Sequence, residues 1–531
     1  MCQSQEDEKK PLIPKRLKAP VYDDNTYEDS LDYPQEDGRA RRGRRSSCCP
    51  CISARIVLAL LSSAGFLIIF SLRSNLSVAM VAMVSSNASD TNVNQTLECM
   101  PKYGNHTPMV PLTQGEFQWN EQIQGIILGS FYYGYCLTQI PGGWLAQYFG
   151  GKRLIGGAIL TTSLLSLLSP IAARFKWWML VGVRFLEGAT QGIIYPAMHS
   201  MWGRWAPKSE RSRLVTITYS GSGSGTTVGL IVSGYICQSQ YIGGWPSCFY
   251  LFGGIGCVWF IIWMLLVHDL PADHPRISAE ELHLLQTTTS TLHTDENNMS
   301  DLKKLKPPWK SIFTSSAVWA IVAAHVATDF GFFTLASCLP TYMKFVLKYD
   351  IDKDGILSAV PYMAVMVTTV LTGLVADWIR DKKYLSTVAT RKLMNTLGLL
   401  LPAGFMLGMG YTNCDSNLAV ALLTLAIAVN GLTAAGYTCN HIDIAPKFSG
   451  ILMGLTNTFG TTTGFIGPYI VGVLTDGNQS REQWQKFFFM VSAVYGVGGL
   501  VFLVFAKGEE QQWSIEASVK QNSTKTLNIQ K

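Results

Sequence analysis

The sequence predicts an all-α polytopic membrane protein of about twelve spans, each roughly 20 residues long, in two six-helix bundles. Three observations carry that prediction. Apolar runs long enough to span recur through the chain. Of its 531 residues 48% are hydrophobic and only 15% charged, where a soluble protein carries about a quarter charged. A polar segment, 268–313, divides the runs into two sets.

The runs centre on Phe66, Phe131, Thr162, Ile193, Gly225 and Phe260, then on Thr328, Met366, Leu400, Leu425, Phe465 and Val497. The expected organisation is a tail at 1–53, a bundle at 54–267, a linker at 268–313, a bundle at 314–507 and a tail at 508–531. The linker holds Pro271, Pro275, Pro307, Pro308 and a Ser/Thr-rich stretch. Several runs contain Gly or Pro, which membrane helices tolerate when neighbours re-satisfy the backbone. The first run follows fifty polar residues and is too long for the core of a cleavable signal peptide, so an uncleaved anchor is expected.

Lysine and arginine placement sets the expected orientation. Arg39, Arg41, Arg42, Arg44, Arg45 and Arg55 precede the first span. Lys152, Arg153, Arg204, Lys208, Arg211, Arg213, Arg380, Lys382 and Lys383 follow even-numbered spans. The opposite side is sparser, with Arg174, Lys176, Lys344 and Lys348. Both termini are therefore expected in the cytoplasm. Sequons at Asn87, Asn94 and Asn105 in the first lumenal loop, and at Asn478 in the last, agree. The net charge of +6 sits in these flanks, so nucleic acid is not an expected partner.

Of the cysteines, Cys99, Cys237, Cys248 and Cys414 fall in or beside lumenal loops, where oxidation is possible, but pairing cannot be read from spacing. Cys48, Cys49 and Cys51 precede the first span beside basic residues, as free thiols or palmitoylation sites.

The two halves share a signature. GWLAQYFGGKR (143–153) follows the second span and GLVADWIRDKK (373–383) follows the eighth. Each has a small residue for close helix approach, Gln147 or Asp377 near a helix end, then a basic turn. Its recurrence argues for duplication. Two such bundles imply a central cavity and alternating access by rocking one bundle against the other. Gly221, Gly223 and Gly225 suit tight helix packing or a flexible contact.

Charged residues inside the spans are the candidate site. A charge at mid-bilayer costs roughly 2.5–3.5 kcal/mol on insertion scales, so it faces a cavity or a partner. Arg73 and Arg184 suggest an anion site. Glu187 is i+3 from Arg184 on one helix face, either a proton-coupling partner or half of a structural ion pair. His325 and Asp329, i and i+4 in the seventh span, are candidates for proton or cation coupling. His199 is expected to gate or to pack. Asn440, His441 and Asp443 precede Pro446 in the eleventh-span region and read as a polar cluster or gate; two ligands do not make a metal site. Asn457 is expected to line the cavity. The chain has no G-x-x-x-x-G-K-[ST] loop and no convincing hydrolase motif, so the expectation is an ion-gradient transporter, with no cofactor and no enzyme activity.

The paired motif resembles the loop signature of the major facilitator superfamily, G-x-L-x-D-x-x-G-[RK]-[RK], with Gln147 in place of Asp in the first copy. Further stretches are similar to its anion–cation symporter branch, which includes sialic acid, vesicular glutamate and sodium–phosphate transporters. They include RSNLSVA (73–79), GSFYYGY (129–135), QIPGG (139–143), YPAMH (195–199), WAP (205–207), ERSR (210–213), LPTYM (339–343), NHIDIAP (440–446) and FAKGE (505–509). The likeness covers about residues 54–513. It is strongest to the lysosomal sialic acid transporters, through PAMH (196–199), LPTYMK (339–344) and Ala324-His325. Thr328 stands where the glutamate transporters carry an arginine.

The resemblance implies that Arg73 and Arg184 hold a substrate carboxylate and that Glu187 takes part in proton coupling. It also implies that Glu8, Leu12 and Ile13 form an acidic-dileucine signal read by clathrin adaptors, with a lysosomal or other acidic-vesicle destination. Gln191 departs from the pattern, replacing a glutamate, and cannot carry a proton. The expected activity is proton-coupled export of sialic acid or related acidic sugars. Alternatives are vesicular glutamate or aspartate transport, sodium–phosphate transport at the plasma membrane, or a non-transporting anion sensor.

Overall fold

A computed structural model describes residues 52–84, 115–239, 243–288, 306–345, 351–412, 415–475 and 480–517. All lie in one compact unit, Pro50–Lys531. The sorting residues Glu8, Leu12 and Ile13, the sequons Asn87, Asn94, Asn105 and Asn478, and Cys48, Cys49, Cys51, Cys99 and Cys414 lie outside the described residues.

The first half runs α1 (Ala54–Met83), α2 (Glu121–Phe149), α3 (Gly151–Phe175), α4 (Trp177–Gln191), α5 (Ile194–Trp205), α6 (Arg211–Gln238) and α7 (Trp245–Leu266). A short linker helix, α8 (Ala279–Thr288), follows. The second half runs α9 (Trp309–Thr314), α10 (Ser316–Phe345), α11 (Ile351–Asp381), α12 (Thr387–Met409), α13 (Ser416–Asn430), α14 (Tyr437–Ile444), α15 (Ser449–Thr475) and α16 (Arg481–Phe505). No strand occurs among the described residues; Val84 and Phe117 form an isolated bridge.

Two spans are interrupted at equivalent places in the halves. The fourth breaks at Gly192–Ile193 between α4 and α5. Pro196 has no N–H for the Gly192 carbonyl, and its ring crowds that turn. The tenth breaks between α13 and α14, where residues Gly431–Ala435 tighten into a 3₁₀ turn. Matched discontinuities of this kind mark binding regions in transporters.

Among the described residues, eight helical stretches are long and apolar enough to cross a membrane. The helices of the second, fourth, fifth and eleventh spans are not among them. Their polar and small residues have a use, because α2 packs on α15, and α6 packs on α11, across the boundary between the halves. Gly143 lies against the Gly450 backbone and Gly454 against the Gln139 carbonyl. Gly221 and Gly225 face the α1 backbone at Ser63 and Leu67, so tight packing is their role.

Each half keeps its own core. Phe66, Trp202, Trp205, Trp259 and Trp263 are buried in the first, and Phe448, Trp484, Phe487 and Tyr495 in the second. Leu137, Ile171, Leu265, Leu371, Val473 and Val497 are exposed on the outside, as lipid-facing positions should be. The linker is anchored to the first half. Glu281 accepts from the Ala54 and Arg55 backbone N–H groups and pairs with the Arg55 guanidinium at 3.0 Å. Asp269 accepts from Lys152 N at 2.8 Å, capping the start of α3.

Candidate functional site: a caged arginine between the halves

Arg73 projects from α1 into a group of aromatic rings. Its guanidinium carbon lies 4.8 Å from the Phe131 ring centre, 4.6 Å from Tyr132, 5.5 Å from Tyr135, 5.7 Å from Phe70 and 5.1 Å from Phe333. Phe333 comes from α10, so the cage is built by both halves. Cation–π contacts offset part of the cost of burying the charge. Nη2 of Arg73 is buried without a hydrogen bond, and among the described residues no carboxylate forms an ion pair with it.

Arg184 has a different environment. Its Nη1 donates to Glu187 Oε2 at 2.5 Å, and both side chains are buried. Glu187 Oε1 faces Ser169 Oγ at 3.4 Å. Arg184 lies 5.8 Å from the Phe131 ring, so one aromatic residue contacts both arginines. Small residues bring α2 and α4 together here: Gly134 lies against the Phe185 carbonyl and Gly188 against the Phe131 carbonyl. Gln191, at the end of α4, is buried with Nε2 lacking a hydrogen bond.

On the second half, Asp329 Oδ2 stands 3.5 Å from His325 Nε2. Asn457 is buried and donates to Tyr135 OH at 3.3 Å and Gln139 Oε1 at 3.0 Å. Its amide thus bridges α15 to α2 beside the cage. Thr328 is buried on α10.

The halves are laced together at the end that bears the basic turns. Asp443 accepts from Arg211 Nη1 and from Arg391 Nε, both at 2.7 Å, and all three are buried. Arg391 also donates to Ser212 Oγ at 2.7 Å and to Ala435 O at 2.9 Å. Asp377, the acid of the second repeated motif, accepts from Ser212 N at 3.2 Å and Arg213 N at 2.7 Å. It therefore caps α6 of the other half, where the helix dipole favours a negative charge. In the first motif, Gln147 donates to Lys447 O at 2.8 Å. His199 Nε2 meets Thr438 O at 3.2 Å, and Ser449 Oγ donates to His199 O at 2.9 Å. Asn440 donates to Lys507 O at 2.7 Å.

One placement needs correction. Residues 440–446 do not begin the eleventh span; 440–444 close the tenth, as the last turns of α14. Pro446 starts a short turn, Pro446–Phe448, ahead of α15. Sequence reasoning also missed Arg211, Arg391 and Asp377 as contacts between the halves. A signal was present, since Arg391 is an arginine within a predicted span.

A family model matches residues 99–468, described as Major Facilitator Superfamily. The chain belongs to the major facilitator superfamily. Sialin of Homo sapiens is 41% identical over 506 residues, covering 94% of this chain and 98% of that protein. Sialin of Ovis aries is 42% identical, covering 90% and 94%. Vesicular glutamate transporter 3 of Danio rerio is 38% identical, covering 92% and 80%. A solved structure of the proton:xylose symporter XylE superposes with a TM-score of 0.62 at 13% identity, covering 86% of this chain and 97% of that one. That likeness shows the fold alone. Family and relatives are secondary transporters of the multi-pass membrane type, not enzymes, and the sialins suggest small organic anions as cargo.

Proposed function

We propose that this protein is a proton-coupled transporter that exports sialic acid or a related acidic sugar from lysosomes or another acidic vesicle by alternating access. One observation supports this most: the buried Arg73 guanidinium, caged by rings from both halves, with Nη2 lacking a hydrogen bond and no ion pair to a carboxylate among the described residues. A carboxylate ligand would complete its charge-assisted hydrogen bonds, and the rings would stack against a sugar. Because the cage draws on both halves, filling it couples binding to their relative position.

Arg184 is the second arginine of the site, and Glu187 already occupies it. A proton on Glu187 would release Arg184 for the substrate, which gives one route to coupling. Asp329 with His325 gives a second. The contacts at Asp443, Asp377 and Gln147 would then form the closed cytoplasmic gate, with both termini on that side. The somewhat higher identity to sialins, 41–42% against 38% for the vesicular glutamate transporter, favours acidic sugars over glutamate. So does Thr328, which cannot supply the extra cation expected of glutamate carriers.

The test uses cells expressing Leu12→Ala/Ile13→Ala, which should place the protein at the surface with its lumenal face outward. Labelled sialic acid uptake is compared at about pH 5.5 and about pH 7.5, on either side of the ordinary histidine range. Acid-stimulated uptake that Arg73→Ala abolishes supports the reading. Surface protein with no uptake rejects sialic acid, and glutamate or phosphate with sodium then takes its place in the assay.

A further inference from the structure

Three buried histidines from both halves stand in one hydrogen-bonded file between the caged arginine and the gate. His325 Nδ1 lies 3.0 Å from Thr456 Oγ1, and His441 Nε2 lies 2.8 Å from the same oxygen. His441 Nδ1 is 3.1 Å from Thr438 O, and His199 Nε2 is 3.2 Å from that carbonyl. Tyr219 OH meets His199 Nδ1 at 2.5 Å. His325 Nε2 faces Asp329 at the cavity end.

Donor accounting fixes the direction of the file. A carbonyl only accepts, so His441 Nδ1 and His199 Nε2 carry protons. In neutral His441 the bare Nε2 must accept, and Thr456 supplies its one O–H; the Met453 carbonyl, at 3.4 Å, is the longer competitor. The Thr456 oxygen then accepts from His325 Nδ1–H. Neutral His325 is left with a bare Nε2 toward Asp329. From His325 through Thr456 to His441 each donor points away from the cavity, as a proton wire loaded at that end requires; at the Thr438 carbonyl the direction reverses, since His199 donates back to it, so the wire ends at His441.

We propose that Thr456 is a proton-relay residue, passing a proton taken up at Asp329 and His325 to His441 beside the gate. This rests on the reading that the coupling ion is a proton. The steps balance. The Asp329 O–H bond breaks as His325 Nε2–H forms. His325 Nδ1–H breaks as a new Thr456 O–H forms. The old Thr456 O–H breaks as His441 Nε2–H forms. The result is an Asp329 carboxylate, a neutral His325 and a His441 imidazolium.

The groups facing the file explain what that charge does. Arg73 from α1 and Tyr495 from α16 face Asp329. The Tyr437 ring of α14 lies 4.8 Å from His325. His199, with Tyr219 behind it, lies 5.3 Å from His441 ring to ring. Asp443, held by Arg211 and Arg391, is two residues beyond His441. An imidazolium at His441 places a positive charge on the same short helix, α14, whose Asp443 holds the gate, and beside His199 of the other half.

The test compares wild type, Thr456→Ser and Thr456→Val in proteoliposomes. Sialic acid uptake driven by a proton gradient is measured beside counterflow at equal acid pH. Counterflow keeps the carrier protonated throughout and needs no transfer through Thr456. Thr456→Val is expected to lose gradient-driven uptake by about tenfold or more while counterflow stays within about twofold. Thr456→Ser is expected to match wild type. Thr456→Ala, the second hydroxyl-free variant, carries the same expectation should the valine fail to fold. Undiminished gradient-driven uptake without the hydroxyl overturns the relay, as does equal damage by serine. Wild type that moves no sialic acid rejects the substrate reading instead. The relay is then read from infrared difference spectra on acidification, which need no substrate. In wild type, histidine ring bands of both His325 and His441 should change, each assigned by its His→Gln variant, and the His441 change should be lost in Thr456→Val. Identical spectra overturn the relay.

Discussion

Arg73 and Arg184 are both arginines inside membrane spans, and both touch Phe131, yet they solve the problem of a buried charge differently. Arg184 is neutralised within its own helix by Glu187, one turn on. Arg73 is surrounded by π faces and has a buried nitrogen without a hydrogen bond. The first has its counter-charge in place without a ligand, although Arg184 Nε is also buried without a hydrogen bond. The second has no ion-paired carboxylate among the described residues. Sequence alone gave both residues the same role; their partners separate them.

The contrast predicts opposite failures. Arg184→Ala strands a buried carboxylate, and breaking such a pair costs about 3–5 kcal/mol. It should lower thermal stability markedly, while Arg184→Met/Glu187→Leu should recover most of it. A stable Arg184→Ala protein would break the comparison. Arg73→Ala should leave stability nearly unchanged and cost about 1.5–3 kcal/mol of anion binding, the range for a charge-assisted hydrogen bond. Arg73→Lys should recover only part, since a point charge cannot form the planar two-pronged contact. Equilibrium binding to purified protein checks both.

Glu187→Gln keeps a hydrogen bond to Arg184 but cannot exchange a proton. Gradient-driven uptake should fall severalfold with exchange retained. Full dependence on the pH gradient would remove Glu187 from coupling. Smaller still is the effect of Gln191→Glu, which places an acid one turn beyond Glu187. It should change the pH profile of uptake with little change in exchange. The smallest concerns Cys237 and Cys248, whose sulfurs lie 3.6 Å apart between α6 and α7. Replacing both with Ser should alter transport by less than about twofold, within the effect of about 0.5 kcal/mol typical of substitutions away from a site.

The spans and the two halves were legible because each is a local property: a run of apolar residues, a basic turn, a polar linker. The i, i+3 pair Arg184–Glu187 and the i, i+4 pair His325–Asp329 were legible for the same reason. The gate was not. Arg211 and Asp443 are 232 positions apart, and Arg391 and Ser212 are 179 apart; nothing in either segment names its partner. Thr456 was invisible too, as one hydroxyl in a threonine- and glycine-rich helix. Its meaning comes from two histidines on other helices. The aromatic cage was half legible: Phe131, Tyr132 and Tyr135 lie close in sequence, but which rings face Arg73 depends on how α2 packs against α1 and α4. The misplacement of residues 440–446 has a local cause. Pro446 marks a boundary, but a proline alone does not say on which side the helix lies.

The most direct measurement is sialic acid binding to purified wild type and Arg73→Ala, with thermal unfolding of both recorded alongside. The account predicts saturable binding by wild type, binding weakened by roughly ten- to hundredfold in the variant, and closely similar unfolding temperatures. A variant that binds as well as wild type would contradict it.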